Sequence, residues 1–179
     1  ALEHLPEGGR ALDLCCGSGA IALSLKQEAV EVQVVATDIS EAALAVARGN
    51  GQRCALDIEW LCGDLFAPFE GAAVASFDIV ASNPPYVRHG DLVGLELEVR
   101  DYEPALALDG GEDGLDCYRR IVRTAPDFIC SGGHLLLEVG DGQSAEVERL
   151  LAGVGRFAEV QTRPDLNEVP RVVVARTSS

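Results

Sequence analysis

The sequence predicts a doubly wound α/β fold: a mostly parallel seven-stranded sheet with helices on both faces and an antiparallel pair of strands at its C-terminal end. Three observations carry that expectation. Short apolar runs alternate with segments of helical spacing, joined by short connections. The first strand is followed by a small-residue loop and a helix, an arrangement that lets a ligand approach the backbone at a helix N-terminus. Finally, the run Phe77-Asp78-Ile79-Val80-Ala81 ends in Ser82-Asn83-Pro84-Pro85-Tyr86. Proline has no N–H to give a neighbouring strand, so the ladder stops there in a stiff turn. In open parallel sheets, ligands bind at that C-terminal edge.

Taken in order, residues 1–10 are expected to be a linker or the end of a preceding segment, and residues 11–176 the folded domain. The chain begins with Ala1 and contains no Met, so something is expected to have preceded it. Residues 11–15 form the first strand, Cys16-Gly17-Ser18-Gly19-Ala20-Ile21-Ala22 the loop and helix start, and apolar spacing continues through Leu25. A second strand over 32–37 ends at Asp38, which places a carboxylate at the strand tip, where it can accept both hydroxyls of a ribose. Ser40 caps a helix running to about Arg53. Residues 57–62 form the third strand, and Gly63-Asp64-Leu65-Phe66 its loop, with Asp64 placed to accept from an adenine amino group. The fourth strand is 77–82.

Beyond it, Leu115, Tyr118, Ile121, Val122, Ala125, Phe128 and Ile129 fall on one helical face, and Arg119, Arg120 and Arg123 on a solvated one. Residues 133–139 read as a fifth strand. Val147, Leu150, Leu151 and Val154 mark another amphipathic helix, and 157–161 with 171–175 the antiparallel pair.

Composition bounds the function. The 179 residues suffice for one domain, and 47% hydrophobic content indicates a packed core. With 29 acidic against 14 basic residues the net charge is −15, which opposes direct binding of a polyphosphate backbone. There is no run of ~18 apolar residues and no signal-peptide pattern, so a cytoplasmic location without a membrane span is expected. Cys15, Cys16, Cys54, Cys62, Cys117 and Cys130 lack C-x-x-C pairing and zinc-like spacing. They read as small buried hydrophobes, and no metal is expected.

The chemistry concentrates on Asn83 to Tyr86. Asn83 precedes a proline and is held extended, so its amide projects from the strand edge. Its side-chain carbonyl and the backbone carbonyl of Pro84 form a pair of fixed acceptors, Pro85 stiffens the edge and Tyr86 adds a flat face. Such a cradle suits a planar NH2 group; the bland alternative is a proline-terminated strand with a loop. For the cofactor, Gly17-x-Gly19-x-x-Ala22 also satisfies a dinucleotide fingerprint, so a nicotinamide cofactor stays open on those residues alone. Asp13, inside the first strand, can anchor the loop or reach an amino-acid ammonium, which a nicotinamide cofactor lacks. Ordinary loop-fixing, helix-start and turn roles remain the alternatives for Asp13, Asp38 and Asp64.

The order Asp13-Leu14-x-x-Gly17-Ser18-Gly19, the acidic tip Asp38, Gly63-Asp64-Leu65-Phe66 and Asn83-Pro84-Pro85-Tyr86 resembles a class I S-adenosylmethionine-dependent methyltransferase. More narrowly, Glu98-Val99-x-x-Tyr102-Glu103-Pro104 followed by Ala107-Leu108-x-Gly110-Gly111-x-Asp113-Gly114-Leu115-x-x-Tyr118 resembles the HemK-type protein-glutamine N5-methyltransferases that modify peptide release factors. The resemblance implies a cofactor set of Asp13, Cys15, Cys16, Gly17, Ser18, Gly19, Asp38, Ile39, Asp64 and Leu65, with Asn83 at its border. Residues 15–19 would face the methionine part, Asp38 the ribose, and Asp64 with Leu65 the adenine. Asn83, Pro84, Pro85 and Tyr86 would be the catalytic set holding a glutamine side chain.

There are three departures from that family. Cys15-Cys16 stand where it has Gly-Thr or similar. Asp165-Leu166-Asn167-Glu168 replaces its Asp-Leu-x-Gly stretch. The family also carries an N-terminal helical domain that helps recognise the release factor. Two other functions compete: methylation of an exocyclic amino group of adenine or guanine, with Tyr86 stacked on a flipped base, and a cofactor-binding scaffold without catalysis.

Overall fold

A computed structural model describes residues 1–71, 76–94 and 105–178; Glu98, Val99, Tyr102, Glu103 and Pro104 of the second sequence block lie outside them. The chain runs β1 (Arg10–Leu14), α1 (Ala20–Glu28), β2 (Gln33–Asp38), α2 (Glu41–Cys54), β3 (Glu59–Cys62) and β4 (Phe77–Ser82). It continues α3 (Ala105–Leu108), α4 (Asp116–Thr124), β5 (Ile129–Glu138), α5 (Ser144–Val154), β6 (Phe157–Pro164) and β7 (Pro170–Thr177). The seven strands form one sheet in the order β3-β2-β1-β4-β5-β7-β6. β7 pairs antiparallel with both β5 and β6, and the remaining pairings are parallel.

Strand periodicity distributes the core. Leu12 and Leu14 point to one face, where Tyr118, Ile121 and Val122 of α4 and Val147 and Leu151 of α5 cover them. Ala11 points to the other, under Ala22 and Leu25 of α1 and Leu44 of α2. Burial on both faces explains why β1, β2 and β4 are continuous apolar runs and not alternating ones.

Several boundaries differ from the sequence reading, each for a local reason. β1 stops at Leu14 because Cys15 turns into the left-handed region at φ 57. β3 is shorter than 57–62: the Leu56 N–H closes α2 on the Gly51 carbonyl, and the chain reaches the ladder only at Glu59. The helical face assigned through Ile129 breaks early. Pro126 cannot donate to the preceding turn, so α4 ends at Thr124 and a 3-10 turn follows. Phe128 then stacks on Phe66, and Ile129 begins β5, four residues before the expected start; the register shifts between Phe77 and Ile79. The antiparallel C-terminal pair is present, with β7 inserted between β5 and β6. The Asp165 stretch forms its turn: Asp165 Oδ1 accepts from the Asn167 and Val169 N–H groups, and these bonds hold its carboxyl below the usual carboxylate range.

The cysteines also depart from expectation. Cys16 is buried, but Cys54 and Cys62 are exposed, one ending the last turn of α2 and the other at the tip of the edge strand β3. Among the described residues, no helix is long and apolar enough to cross a membrane, and no group of three or more His, Cys, Asp or Glu side chains could hold a metal.

Candidate active site

The strand order places the site. The chain winds outward from β1 through β2 to β3, then returns to the other side of β1 as β4, so the direction of winding reverses between β1 and β4. Loops leaving adjacent strands on either side of such a switch point part from each other and open a crevice. Leu14 lies in register with Thr37 on one side and Ser82 on the other, and Asp38 pairs with Cys62. The residues that follow therefore emerge side by side along one edge: Cys15 to Gly19, Asp38 and Ile39, Gly63 to Leu65, and Asn83 to Tyr86. With strands spaced ~4.8 Å apart, the tips of β2 and β4 stand roughly 10 Å from each other across β1.

On the β1–β3 side the tips are tied together. The Asp38 carboxylate accepts from the Gly17 N–H at 2.8 Å through Oδ2 and from the Ser40 N–H at 2.8 Å through Oδ1. Ionised carboxylates have about four acceptor positions, so both oxygens can still take a ribose hydroxyl. Asp38 thus fills the helix-start role and faces the crevice as well. The Cys16 N–H continues the ladder to the Thr37 carbonyl, and the Gly63 N–H to the Asp38 carbonyl. Gly17 sits at φ 53 with open space where a Cβ would stand, whereas a Cβ on Gly19 would meet Trp60 at 2.8 Å. One glycine leaves room for a ligand, and the other lets α1 pack close to β3.

Asp13 is fully buried. Its Oδ2 accepts from the Ala22 N–H at 2.9 Å, fixing the start of α1, while no partner is found for Oδ1 among the described residues. Burial pushes this carboxyl up to about 7, against the lowering effect of the Ala22 bond and with a further push from Asp38. The Cys15 thiol abuts the Cys117 thiol at the start of α4, and that hydrogen bond, followed by burial, moves the Cys15 pKa upward. Cys16 is moved upward by burial. Ser18 is exposed at the loop tip.

The adenine side departs in part from expectation. Leu65, left-handed at φ 52, turns its side chain into the core, and its carbonyl accepts from the Thr37 hydroxyl at 3.3 Å. Asp64 is half exposed and paired with Arg120 Nη2 at 2.6 Å. Arg120 is therefore more than part of a solvated face, since it reaches from α4 to the loop after β3. Ile39 presents an exposed apolar side chain beside Asp38, 52% accessible.

On the β4 side, the Ser82 hydroxyl donates to the Leu14 carbonyl at 2.8 Å and locks the two central strands at their ends. Asn83 is exposed and Pro84 buried, with Pro85 and Tyr86 half-buried. Neither the Asn83 carboxamide nor the Pro84 carbonyl has a hydrogen-bond partner among the described residues. The chain beyond Tyr86 pairs with the glycine-rich 108–111 segment: Val87 N–H to Leu108 O, Gly110 N–H to Val87 O and His89 N–H to Gly111 O. His89 Nδ1 lies 2.8 Å from Asp109 Oδ2 on the exposed rim, and that contact holds the Asp109 carboxyl below its ordinary value. Sequence reasoning missed Gln143, whose carboxamide bonds to Tyr86, Gly114 and Gly140. The signal available was a glutamine just before a helix, a position where Ser, Thr, Asp or Asn caps better.

A family model described as the methyltransferase small domain matches residues 1–97. The chain belongs to the methyltransferase small domain family. Within that family assignment, it is 41% identical over 176 residues to a release factor glutamine methyltransferase of Geobacter sulfurreducens, covering 98% of this chain and 61% of the relative. It is likewise 41% identical over 169 residues to a release factor glutamine methyltransferase of Clostridium acetobutylicum, covering 93% of this chain and 58% of that protein. The chain thus spans about three fifths of the length of these relatives. Among solved structures, a methyltransferase of Pyrococcus furiosus superposes with a TM-score of 0.73 at 17% identity, over 99% of this chain and 79% of that one. That likeness is one of fold, and it agrees with a seven-stranded sheet of this order.

Proposed function

We propose that this domain transfers a methyl group from S-adenosylmethionine to the side-chain amide nitrogen of a glutamine in a peptide release factor. The observation that carries the reading is the pair of unengaged carbonyl acceptors, on Asn83 and Pro84, one strand away from the loop held by Asp38. The names of relatives at 41% identity support the same choice of substrate.

The residues fit the cofactor. Gly17 leaves open space at the loop, Asp38 keeps acceptor capacity for ribose hydroxyls, and Ile39 offers an exposed apolar face. S-adenosylmethionine bound there supplies an electrophilic methyl on a sulfonium. An amide nitrogen is a poor nucleophile, because its lone pair is shared with the carbonyl through the resonance behind the ~18–20 kcal/mol peptide rotation barrier. Positioning is therefore the main requirement. With Asn83 and Pro84 accepting its two N–H bonds, the nitrogen is turned toward the crevice, the oxygen dipoles favour the positive charge that develops on it, and its surplus proton would then pass to water. A glutamate has no N–H to give, and two unpaired acceptors facing a carboxylate reject it by several kcal/mol.

A net charge of −15 opposes the alternative of a nucleic-acid amino group. Incubation with labelled S-adenosylmethionine and a purified bacterial release factor, followed by mass mapping, tests the proposal. A 14-dalton gain on one glutamine (roughly one CH2, which adds apolar bulk) is expected; a release factor left unmodified, with label entering RNA or DNA supplied in a parallel reaction, would overturn it.

A further inference from the structure

We propose that Gln143 is the positioning residue of the substrate side, holding the Asn83–Tyr86 turn against two neighbouring loops. This inference rests on the reading of Asn83 as the group that binds the amide. Gln143 stands at the N-cap of α5, yet its side chain makes no bond to the helix's own N–H groups. Nε2 donates instead to the Tyr86 carbonyl at 3.0 Å and to the Gly114 carbonyl at 3.4 Å, while Oε1 accepts from the Gly140 N–H at 3.0 Å. One carboxamide thereby joins the turn after β4, the glycine loop before α4 and the turn after β5.

The three glycines around this carboxamide and Tyr86 are tightly packed. A Cβ on Gly114 would stand 2.4 Å from the Tyr86 carbonyl oxygen and 2.7 Å from Gln143 Nε2. A Cβ on Gly140 would stand 2.7 Å from Gln143 Oε1 and 2.9 Å from Tyr86 Cδ2, and one on Gly110 would stand 2.8 Å from Tyr86 Cα. Behind this contact the Tyr118 hydroxyl donates to the Glu138 carbonyl at 2.7 Å, so α4 and the end of β5 form a fixed wall. Between Tyr86 and Asn83 lie two prolines, whose locked φ angles make the segment a stiff lever. A displacement at the Tyr86 carbonyl is therefore carried to the acceptors on Pro84 and Asn83. Only a carboxamide meets this need: it gives donors to two carbonyls and an acceptor to one N–H, where a carboxylate would turn lone pairs toward both carbonyls.

Gln143→Glu and Gln143→Met test the assignment in two arms. In 15N–1H spectra, the Asn83 side-chain and Tyr86 backbone signals should move, while those of Gly17, Ile39 and Ala22 stay in place. With the release factor as probe, kcat should fall by up to about 100-fold, the cost of misplacing reacting groups by ~1 Å, with cofactor affinity within about twofold. Gln143→Glu added to Asn83→Ala should slow the enzyme no further, because residues that act as a unit are not additive. Unmoved Asn83 signals, Gly17 signals that move as far as those of Asn83, or losses that multiply in the double variant would each overturn the role of Gln143. Full turnover by Asn83→Ala would instead overturn the reading of the site on which it depends.

Discussion

The two halves of the ligand edge are built on opposite plans. Around β1, β2 and β3, three carboxyl groups already have partners within the protein: Asp38 in two backbone N–H groups, Asp13 Oδ2 in the start of α1 and Asp64 in Arg120, with Asp13 Oδ1 left over among the described residues. At the end of β4, the Asn83 carboxamide and the Pro84 carbonyl have no hydrogen-bond partner among the described residues, and the prolines after Asn83 join it to Tyr86, whose carbonyl accepts from the Gln143 carboxamide. Under the proposed function, this difference separates a half that binds from a half that reacts. A site for a cofactor that returns every cycle gains from a loop that needs no rearrangement. A site that must choose an amide over a carboxylate needs acceptors held rigid and left without partners until the substrate arrives.

Substitutions can break or sharpen this contrast. The largest effect is expected at Asn83→Ala. Methyl transfer should fall roughly 10²–10³-fold, as when one preorganised polar group is removed from a reacting centre, with little change in melting temperature. Near-normal turnover would mean that the unengaged half does not react. Asp38→Ala should act in the other half. It leaves the Gly17 and Ser40 N–H groups without their acceptor, so it should cost about 1–3 kcal/mol of stability and weaken cofactor binding at least tenfold. Calorimetry on the purified variant reads both effects, and unchanged affinity would remove Asp38 from the cofactor site.

Asp13 yields a pH test. Burial holds its carboxyl at about 7 against 3.8 in the unfolded chain. The stability this group confers is therefore full below pH 3.8 and is lost as pH rises through about 7. Asp13→Asn does not titrate. Relative to the natural chain its stability should rise between about pH 4 and 7, by ~1 kcal/mol per pH unit at the steepest, and then level off. Urea denaturation across that range checks the slope, and a difference independent of pH would show that Asp13 is not held protonated. The smallest effect is expected at Ile39→Ala. With its side chain half in water the fold should lose little, whereas cofactor affinity should drop about three- to tenfold by loss of apolar contact. A melting temperature that falls while affinity holds would assign Ile39 to the core instead.

The placement of Gly17, Asp38 and Asn83 along one edge was legible in the sequence because each follows directly from a buried strand. Once β1, β2 and β4 are recognised as apolar runs, Gly17, Asp38 and Asn83 must emerge on one edge. What stayed hidden depends on distant parts of the chain. The insertion of β7 between β5 and β6 is decided by sheet pairing, and local pattern carries no record of it. The early start of β5 was masked by Cys130-Ser131-Gly132-Gly133, which reads as a turn but lies inside the strand as an irregularity. Arg120 looked like a surface residue because its partner Asp64 lies 56 positions away, and Gln143 looked like a helix flank because its partners lie on three separate loops. The family resemblance sets Leu65 with Asp64 against the adenine, and its left-handed backbone turns the side chain inward.

A crystal structure with S-adenosylhomocysteine, the demethylated cofactor, tests the division of the edge most directly. The ribose hydroxyls should lie on Asp38, with the sulfur turned across β1 toward Asn83. Density for the nucleoside beyond β4, or a sulfur facing away from Asn83, would contradict the account.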